Sequence, residues 1–427
     1  MKLLQIASGD FFSTYGGGQV YVKNIVDEMI RQCLDVAVLS FVDKNIAIIQ
    51  QDYQGIPLWE IGKQATVSDI EDLLRTISPA IIHAHSQKAF FASLGKSLDI
   101  PVVVTAHHGG ILCPAGTLMN AEDCICQTTL SYKNCLKCCL ANIRTGHSWY
   151  PVMKLLPKKA YIGLGKTLQK MPFMPFITPI GGVALSIENK INEWQTICNN
   201  ATAIIAPSNS IADAMYRNGL AREKVNIIPH GIPKNTKHCY HGSNKKQDII
   251  RFFYVGRICR VKGVHVLLEA FNNLRSSYKA ELHIIGGAGN KSEERYMQSL
   301  KQRCQSPNII WHGKVPADKV FETIKDYDVM VHPTICLEIF GLNIAEALAM
   351  DKPVLATRCG GAEMQIQEGV NGWLVAPNDI QALCTKIEEI VEQGITIDTT
   401  ALHENVISIN EHVKELIQVY EKETIVD

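Results

Sequence analysis

Residues 2–30, KLLQIASGDFFSTYGGGQVYVKNIVDEMI, run from a short apolar stretch through a glycine-rich turn into apolar residues repeating at helical spacing. Lys2 to Ile6 reads as a strand and Gly16, Gly17 and Gly18 as a turn; Tyr21, Val22, Ile25, Val26, Met29 and Ile30 fall on one helical face. Strand candidates recur at Val36 to Leu39, Ala80 to His83, Val102 to Thr105 and Ala201 to Ala206. Such alternation predicts a parallel, doubly wound sheet. Residues 233–248, PKNTKHCYHGSNKKQD, are polar and turn-prone and read as a linker. The alternation then restarts at Arg251 to Val255, Glu281 to Ile285, Ile309 to Trp311, Val329 to Val331 and Val354 to Ala356. Two Rossmann-like α/β domains facing one another across a hinge are expected. At the far end Val413, Leu416, Ile417 and Tyr420 repeat at helical spacing after Asn410, an N-cap candidate, so an amphipathic helix closes the chain.

Composition narrows the function classes. A chain of 427 residues exceeds what one core usually supports, which agrees with two domains. Lys plus Arg and Asp plus Glu stand at 42 each, so the basic excess of a nucleic-acid binder is missing. Leu3 to Ala7 is too short for a signal-peptide core, and no apolar run approaches the roughly 18 residues of a membrane span. A soluble, cytosolic protein is expected, its 14 cysteines being thiols or metal ligands before disulfides.

Open sheets of this kind bind ligands beyond the carboxyl ends of their strands. Three segments suit that place. YGGGQ, residues 15–19, lets backbone approach a ligand closely or serves as a flexible turn. GRICRVKG, residues 256–263, carries Arg257 and Lys262, two cations able to clamp a diphosphate or to stand as a solvated pair. CLEIFGLNIAEALA, residues 336–349, has a helix start near Gly341, with amides around Phe340, Gly341, Leu342 and Asn343 free for an anion. Glu338 just ahead of them would repel a phosphate, so its carboxylate suits a neutral, hydroxyl-rich sugar. Glu346, about two helical turns on and roughly 12 Å away at 1.5 Å per residue, suits two ribose hydroxyls. The plainer alternative makes Glu338 a dipole partner of the helix and Glu346 a surface residue.

Together, E338-IFGLNIA-E346, GRICRVKG, GGAG at 286–289, CGGAE at 359–363 and NGWLVAPND at 371–379 resemble the retaining GT-B glycosyltransferases of family 4, group 1, over essentially the whole chain. The resemblance implies an acceptor domain over residues 1–235, with an insertion at about 109–187, and a nucleotide-sugar domain over 248–400. Residues 401–427 would cross back onto the first domain. Arg257 and Lys262 would hold the diphosphate of a UDP- or GDP-sugar, Glu346 the ribose and Glu338 the sugar, with Phe340, Gly341 and Leu342 lining the donor site and Gly17 and Gly18 closing over it. No catalytic divalent metal is implied, and a hexosyl or N-acetylhexosaminyl group would pass to a glycan or lipid-linked glycan. VVTAHHGG, residues 103–110, resembles the family's T-x-H-D segment, which gives His107 a catalytic part, with His108 where aspartate is common. Asp351 stands where glycine is frequent, and His332-Pro333 replaces the usual Pro-Ser.

Two features stand apart from that pattern. Cys113, Cys124, Cys126, Cys135, Cys138 and Cys139 crowd together; Cys135-x2-Cys138 has metal-ligand spacing and with Cys113 and Cys124 would make a tetrathiolate zinc site, the other readings being an iron–sulfur cluster or free thiols. From Cys124 to Ile187 no acidic residue appears, while Lys133, Lys137, Arg144, Lys154, Lys158, Lys159, Lys166 and Lys170 alternate with Trp149, Tyr150, Leu155, Leu156, Tyr161, Phe173, Met174 and Phe176. A solvated insertion or a contact with an anionic membrane fits this pattern, and the latter would make the acceptor lipid-linked, as in bacterial surface polysaccharide assembly, on the inner face of the membrane.

Three other classes fit the sequence less well. An oxidoreductase lacks its G-x-G-x-x-G after the first strand. A glycan phosphorylase would be longer, and a non-catalytic nucleotide-sugar-binding protein has no use for Arg257, Lys262, Glu338 and Glu346 together.

Overall fold

The computed structural model describes residues 1–7, 9–12, 17–141, 143, 146–169, 178–233, 249–275, 278–316, 319–398 and 402–425. The linker candidate from 234 to 248, Gly16, and Arg144, Lys170, Phe173, Met174 and Phe176 lie outside the described residues. Two compact units form: Met1–Ala121, Cys126–His230 and Ile409–Asp427 make the first, Glu122–Ile125 and Gly231–Ser408 the second.

In the first unit the strands are β1 (Leu3–Ala7), β2 (Val36–Phe41), β3 (Ile48–Tyr53), β4 (Ile56–Ile61), β5 (Ile81–Ala84), β6 (Val102–Thr105), β7 (Ala203–Ala206) and β8 (Val225–Ile227). Their order is β3-β4-β2-β1-β5-β6-β7-β8. Only β3 and β4 pair antiparallel; all other neighbours are parallel. Every residue of β1, β5, β6 and β7 is buried, as expected of parallel strands covered on both faces. The β3–β4 hairpin escaped the sequence reading because IIQQDY is largely exposed and IPLWEI carries a proline, which leaves no sustained apolar run.

Helices α1 (Gly17–Arg31), α2 (Val67–Ile77), α3 (Lys88–Leu98) and α8 (Asn209–Arg217) belong to this sheet layer, and α4 (Tyr132–Ala141), α5 (Gly146–Met153), α6 (Lys158–Gln169) and α7 (Thr178–Asn200) form an insertion. The anticipated face of α1 is buried at Tyr21, Val22, Ile25, Val26 and Met29. A capping box between Thr66 and Asp69 starts α2. The insertion has its own core of Leu136, Cys139, Leu140, Met153, Tyr161, Val183, Ala184 and Ile187. Among the described residues no helix is long and apolar enough to cross a membrane.

The second unit holds β9 (Ile250–Val255), β10 (Ala280–Ile285), β11 (Ile309–Gly313), β12 (Val329–His332), β13 (Val354–Thr357) and β14 (Gly372–Val375), in the order β11-β10-β9-β12-β13-β14. All are parallel. Between them run α9 (Val264–Asn272), α10 (Lys291–Arg303), α11 (Val320–Ile324), α12 (Leu342–Leu348), α13 (Gly361–Gln365) and α14 (Ile380–Gln393). The last helix, α15 (Ile409–Thr424), packs in the first unit, where His412, Val413, Leu416 and Tyr420 are buried.

Two backbone positions shape the second unit. At Gly263, φ is +68° and a Cβ would lie 1.7 Å from the Pro333 carbonyl oxygen. Only glycine lets the turn after β9 press onto the end of β12, a contact that Ile335 N–H seals by donating to Val261 O at 3.0 Å. Asp351, at φ +55°, keeps the left-handed turn in which glycine is usual, and its carboxylate accepts from His403 N at 3.0 Å. We expect Gly263→Ala to lose at least about 2 kcal/mol of stability by urea denaturation. A loss under about 0.5 kcal/mol would show that this close approach carries no weight.

Candidate functional site

In the second sheet the strand order reverses between β9 and β12: β10 and β11 lie on one side of β9, while β12, β13 and β14 continue on the other. Loops leaving the carboxyl ends of the strands at such a point diverge and open a crevice. GRICRVKG follows β9, and the segment holding Glu338 follows β12.

The two loops meet in an ion pair. Lys262 Nζ donates directly to Glu338 Oε2. The same oxygen accepts from Thr334 Oγ1 at 3.4 Å and lies 3.5 Å from Nε2 of the buried His332. Burial alone would raise the Glu338 carboxyl, but Lys262 and then His332 hold it well below the usual carboxylate range. Burial likewise opposes the Lys262 ammonium, and Glu338 keeps its pKa above the ordinary value. The residues assigned from sequence to different halves of a donor are thus in contact with each other. His332, noted from sequence only as a departure, is a neighbour of the carboxylate.

Glu338 is not on a helix. Its N–H donates to Cys359 O at 2.7 Å and its carbonyl accepts from Gly361 N at 2.8 Å, a parallel bridge to residue 360. A Cβ at Gly361 would lie 2.5 Å from Phe340 Cα, so glycine is required for CGGAE to approach this closely. Helix α12 starts only at Leu342, after Gly341 at φ +86°. The 1.5 Å rise assumed between the two glutamates therefore does not apply across the whole motif, because residues 338 to 341 are non-helical. Glu346 does lie on α12, and burial pushes its carboxyl up to about 7 with no charged neighbour contributing. Asn343 Nδ2 ties α12 to the end of β9 through Val255 O at 2.9 Å.

Arg257 stands more open, with its side chain 57% exposed and its Nε 3.7 Å from Glu293 Oε1. Glu293 also accepts from Gly289 N at 2.7 Å, linking the GGAG turn to this arginine. Sequence reading did not single out Glu293, although its place in the first turn of α10, after the Asn290 N-cap, was a legible signal. Arg260 in the same loop pairs with Asp123.

In the first unit Gly17 and Gly18 open α1, and a Cβ on Gly18 would rest 3.9 Å from His107 Cβ and Cγ. His107, just past β6, makes a 2.9 Å hydrogen bond from Nε2 to His85 Nδ1. Burial, then Lys88 and His230, keep its pKa well below the ordinary histidine value, so the imidazole is neutral at neutral pH. His108 points elsewhere, its Nδ1 accepting from Gly110 N at 3.0 Å.

The tetrathiolate expected of Cys113, Cys124, Cys135 and Cys138 is not assembled: among the described residues no group of three or more His, Cys, Asp or Glu is placed to hold a metal ion. Cys124 falls in the second unit and the other three in the first. Burial is the largest influence on the Cys135 thiol and pushes it up to about 11, with Cys113, Cys126 and Cys138 adding to the rise.

The family model for glycosyl transferases group 1 matches residues 237–408, and that for glycosyltransferase family 4 matches residues 15–120. The putative colanic acid biosynthesis glycosyltransferase WcaL of Salmonella typhimurium is 27% identical over 46% of this chain and 49% of that protein. The capsular polysaccharide biosynthesis glycosyltransferase CapM of Staphylococcus aureus is 30% identical over 45% of this chain and 52% of its own. The chain spans about half the length of the curated relatives it matches. The crystal structure of Anabaena Alr3699/HepE in complex with UDP and glucose shares the fold, with a TM-score of 0.65, 16% identity and 99% of both chains covered. The chain belongs to the group 1 glycosyltransferases of the family 4 type, with two Rossmann-like parallel-sheet units of the GT-B class.

Because the Glu346 pKa is raised from about 4.5 to about 7, the folded protein binds more protons than the unfolded chain in that window, and this group's contribution to stability falls as pH rises through it. Glu346→Gln is expected to be more stable than the parent by about 1–2 kcal/mol at pH 8 and equal to it near pH 4. Parallel unfolding curves for parent and variant at the two pH values decide the matter.

Proposed function

We propose that this chain transfers a hexose or N-acetylhexosamine from a nucleotide sugar to a glycan or lipid-linked glycan, with retention at the anomeric carbon, during synthesis of a bacterial surface polysaccharide. The observation that carries the reading is the Lys262–Glu338 pair, set where the strand order reverses and inside the segment matched by the group 1 model. The likeness to WcaL, a putative colanic acid glycosyltransferase, and to CapM, a capsular polysaccharide glycosyltransferase, supports the polysaccharide setting. A UDP-sugar is the favoured donor, since UDP is the nucleotide named for HepE.

In this reading the second unit holds the donor and the first the acceptor. Lys262 and Arg257 bind the diphosphate in place of a divalent metal, Glu346 accepts from the ribose hydroxyls, and Phe340, Gly341 and Leu342 carry backbone toward the nucleotide. Lys262 exchanges its bond to Glu338 for one to phosphate, which releases the carboxylate to the sugar hydroxyls. The bond from anomeric carbon to diphosphate oxygen breaks, and its electron pair leaves with the diphosphate. The acceptor oxygen bonds the same face of that carbon and passes its proton to the departing phosphate oxygen. Positioning and charge stabilisation are the enzyme's share. His107 meets the reacting sugars as a neutral imidazole, and Gly17 and Gly18 leave room beside it.

A peripheral membrane contact fits the insertion. Trp149, Val152 and Leu155 are exposed, Leu155 at 78%, with Lys154 and Lys159 beside them, a pattern suited to an anionic surface.

A UDP-sugar at 100 times its dissociation constant should add about 2.7 kcal/mol of stability, and a GDP- or ADP-sugar at the same concentration much less. Equal response to all three, or to none, would reject the donor assignment. Glu338→Gln should bind free UDP within about threefold of the parent while transfer falls at least about 100-fold, or 2.7 kcal/mol. If calorimetry and the transfer assay show equal losses, Glu338 belongs to the nucleotide pocket and its sugar role is wrong. Lys262→Ala should lower turnover at saturating donor as well as affinity; unchanged turnover would remove it from the leaving-group clamp.

A further inference from the structure

Behind His107 the first unit contains two series of hydrogen-bonded, buried polar side chains that the proposed transfer leaves unused. Strand register sets it up: Gln5 on β1 lies beside His83 on β5, whose next neighbour is Val103 on β6, with Thr105 two residues further on. Helix α15 supplies His412 and Tyr420, and α1 supplies Tyr21. Burial lowers the pKa of His83 to about 3 and of His412 to about 4, and takes those of His85 and His107 well below the ordinary value, so all four imidazoles are neutral. A neutral imidazole has one donor and one acceptor nitrogen, and a hydroxyl has one proton, so fixing one end of such a chain fixes the rest.

The backbone fixes the first series. His412 Nδ1 lies 2.7 Å from the Pro229 carbonyl oxygen, which can only accept, so Nδ1 carries the proton. His412 Nε2 must then accept, and Tyr21 Oη donates to it at 2.7 Å. A second series is fixed at Gln5, whose amide has one donor end and one acceptor end. Its Nε2 donates to Tyr420 Oη at 3.5 Å, so Tyr420 donates to His83 Nδ1 at 2.5 Å and His83 Nε2–H donates to Thr105 Oγ1 at 2.6 Å. Gln5 Oε1 can only accept, so His85 Nε2, 2.9 Å away, carries the proton. His85 Nδ1 is consequently an acceptor, and the donor facing it at 2.9 Å is His107 Nε2–H.

We propose that this hydrogen-bond relay is a positioning device that holds His107 as the Nε2–H tautomer, so that its Nδ1 is an obligate acceptor for a hydroxyl of a reacting sugar. Its use in catalysis rests on the reading that His107 meets those sugars; the tautomer itself does not. His85 is the positioning residue in direct contact, and Gln5 and Tyr420 set its polarity. A histidine fixed in this way accepts from a hydroxyl and cannot hand a proton to a leaving oxygen, in keeping with a reaction whose proton goes to phosphate.

The test has two independent readouts. Nitrogen-15 NMR of histidine-labelled full-length protein at pH 7.5 should show His107, assigned by its loss in His107→Ala, protonated at Nε2 and bare at Nδ1. Protonation at Nδ1, or averaging between the two, overturns the proposal whatever the activity. In the transfer assay His85→Leu should lower kcat at least about 10-fold with KM for donor within about threefold, while His85→Asn, whose Oδ1 stands near the lost Nδ1, should recover most of kcat. Equal loss in both variants, with the parent's melting temperature kept, also overturns it. Should His107→Ala transfer sugar as fast as the parent while the NMR result holds, the relay stands and the reading of His107 as a sugar partner fails.

Discussion

The second unit is organised around one constraint, a lysine and a glutamate that have to share a half-buried place at the ends of two neighbouring strands. Leaving either charge alone there would be costly, because partial burial removes water that nothing else replaces. Gly263 brings Lys262 against β12, and the bridge from Glu338 to residue 360 fixes the carboxylate from the other side. His332 and Thr334 complete the surround of the same oxygen. The arrangement is stable and also ready to be exchanged, since a diphosphate is a stronger partner for an ammonium than a single carboxylate.

In the first unit polarity is arranged differently. There the buried groups are neutral and numerous, and they are satisfied in series. A series of single donors and acceptors has a direction, and the Gln5 amide, with one donor end and one acceptor end, sets it. Low surrounding polarity strengthens each bond and penalises any reversal, so one amide can decide the state of a histidine ring that it does not touch. The closing helix α15 supplies two members of the series, which makes it more than a cover for an apolar face.

Much of this was legible in the chain. Ten strands, the helix of residues 17 to 31 and the closing helix follow from local spacing, and the basic loop and the segment with the two glutamates follow β9 and β12. The E-x7-E spacing was legible as a motif but not as geometry, because Gly341 interrupts the helix and the bridge at residue 360 takes over. Cysteine crowding suggested a metal, yet nearness in sequence does not bring three of these side chains into a metal-holding group among the described residues. Of the basic insertion's apolar residues, Tyr161 turned inward to its own core while Trp149 and Leu155 stayed exposed.

The sequence by itself determined what depends on neighbours a few residues apart: the periods of 2 and 3.6, the glycines that permit turns, and the residue types at strand ends. Which side chains meet was decided by the tertiary structure alone. Gln5 and Tyr420 are 415 positions apart, and Lys262 and Glu338 are 76. Their contacts exist because strand order and register carry them together, and those are properties of the whole sheet that no local window contains.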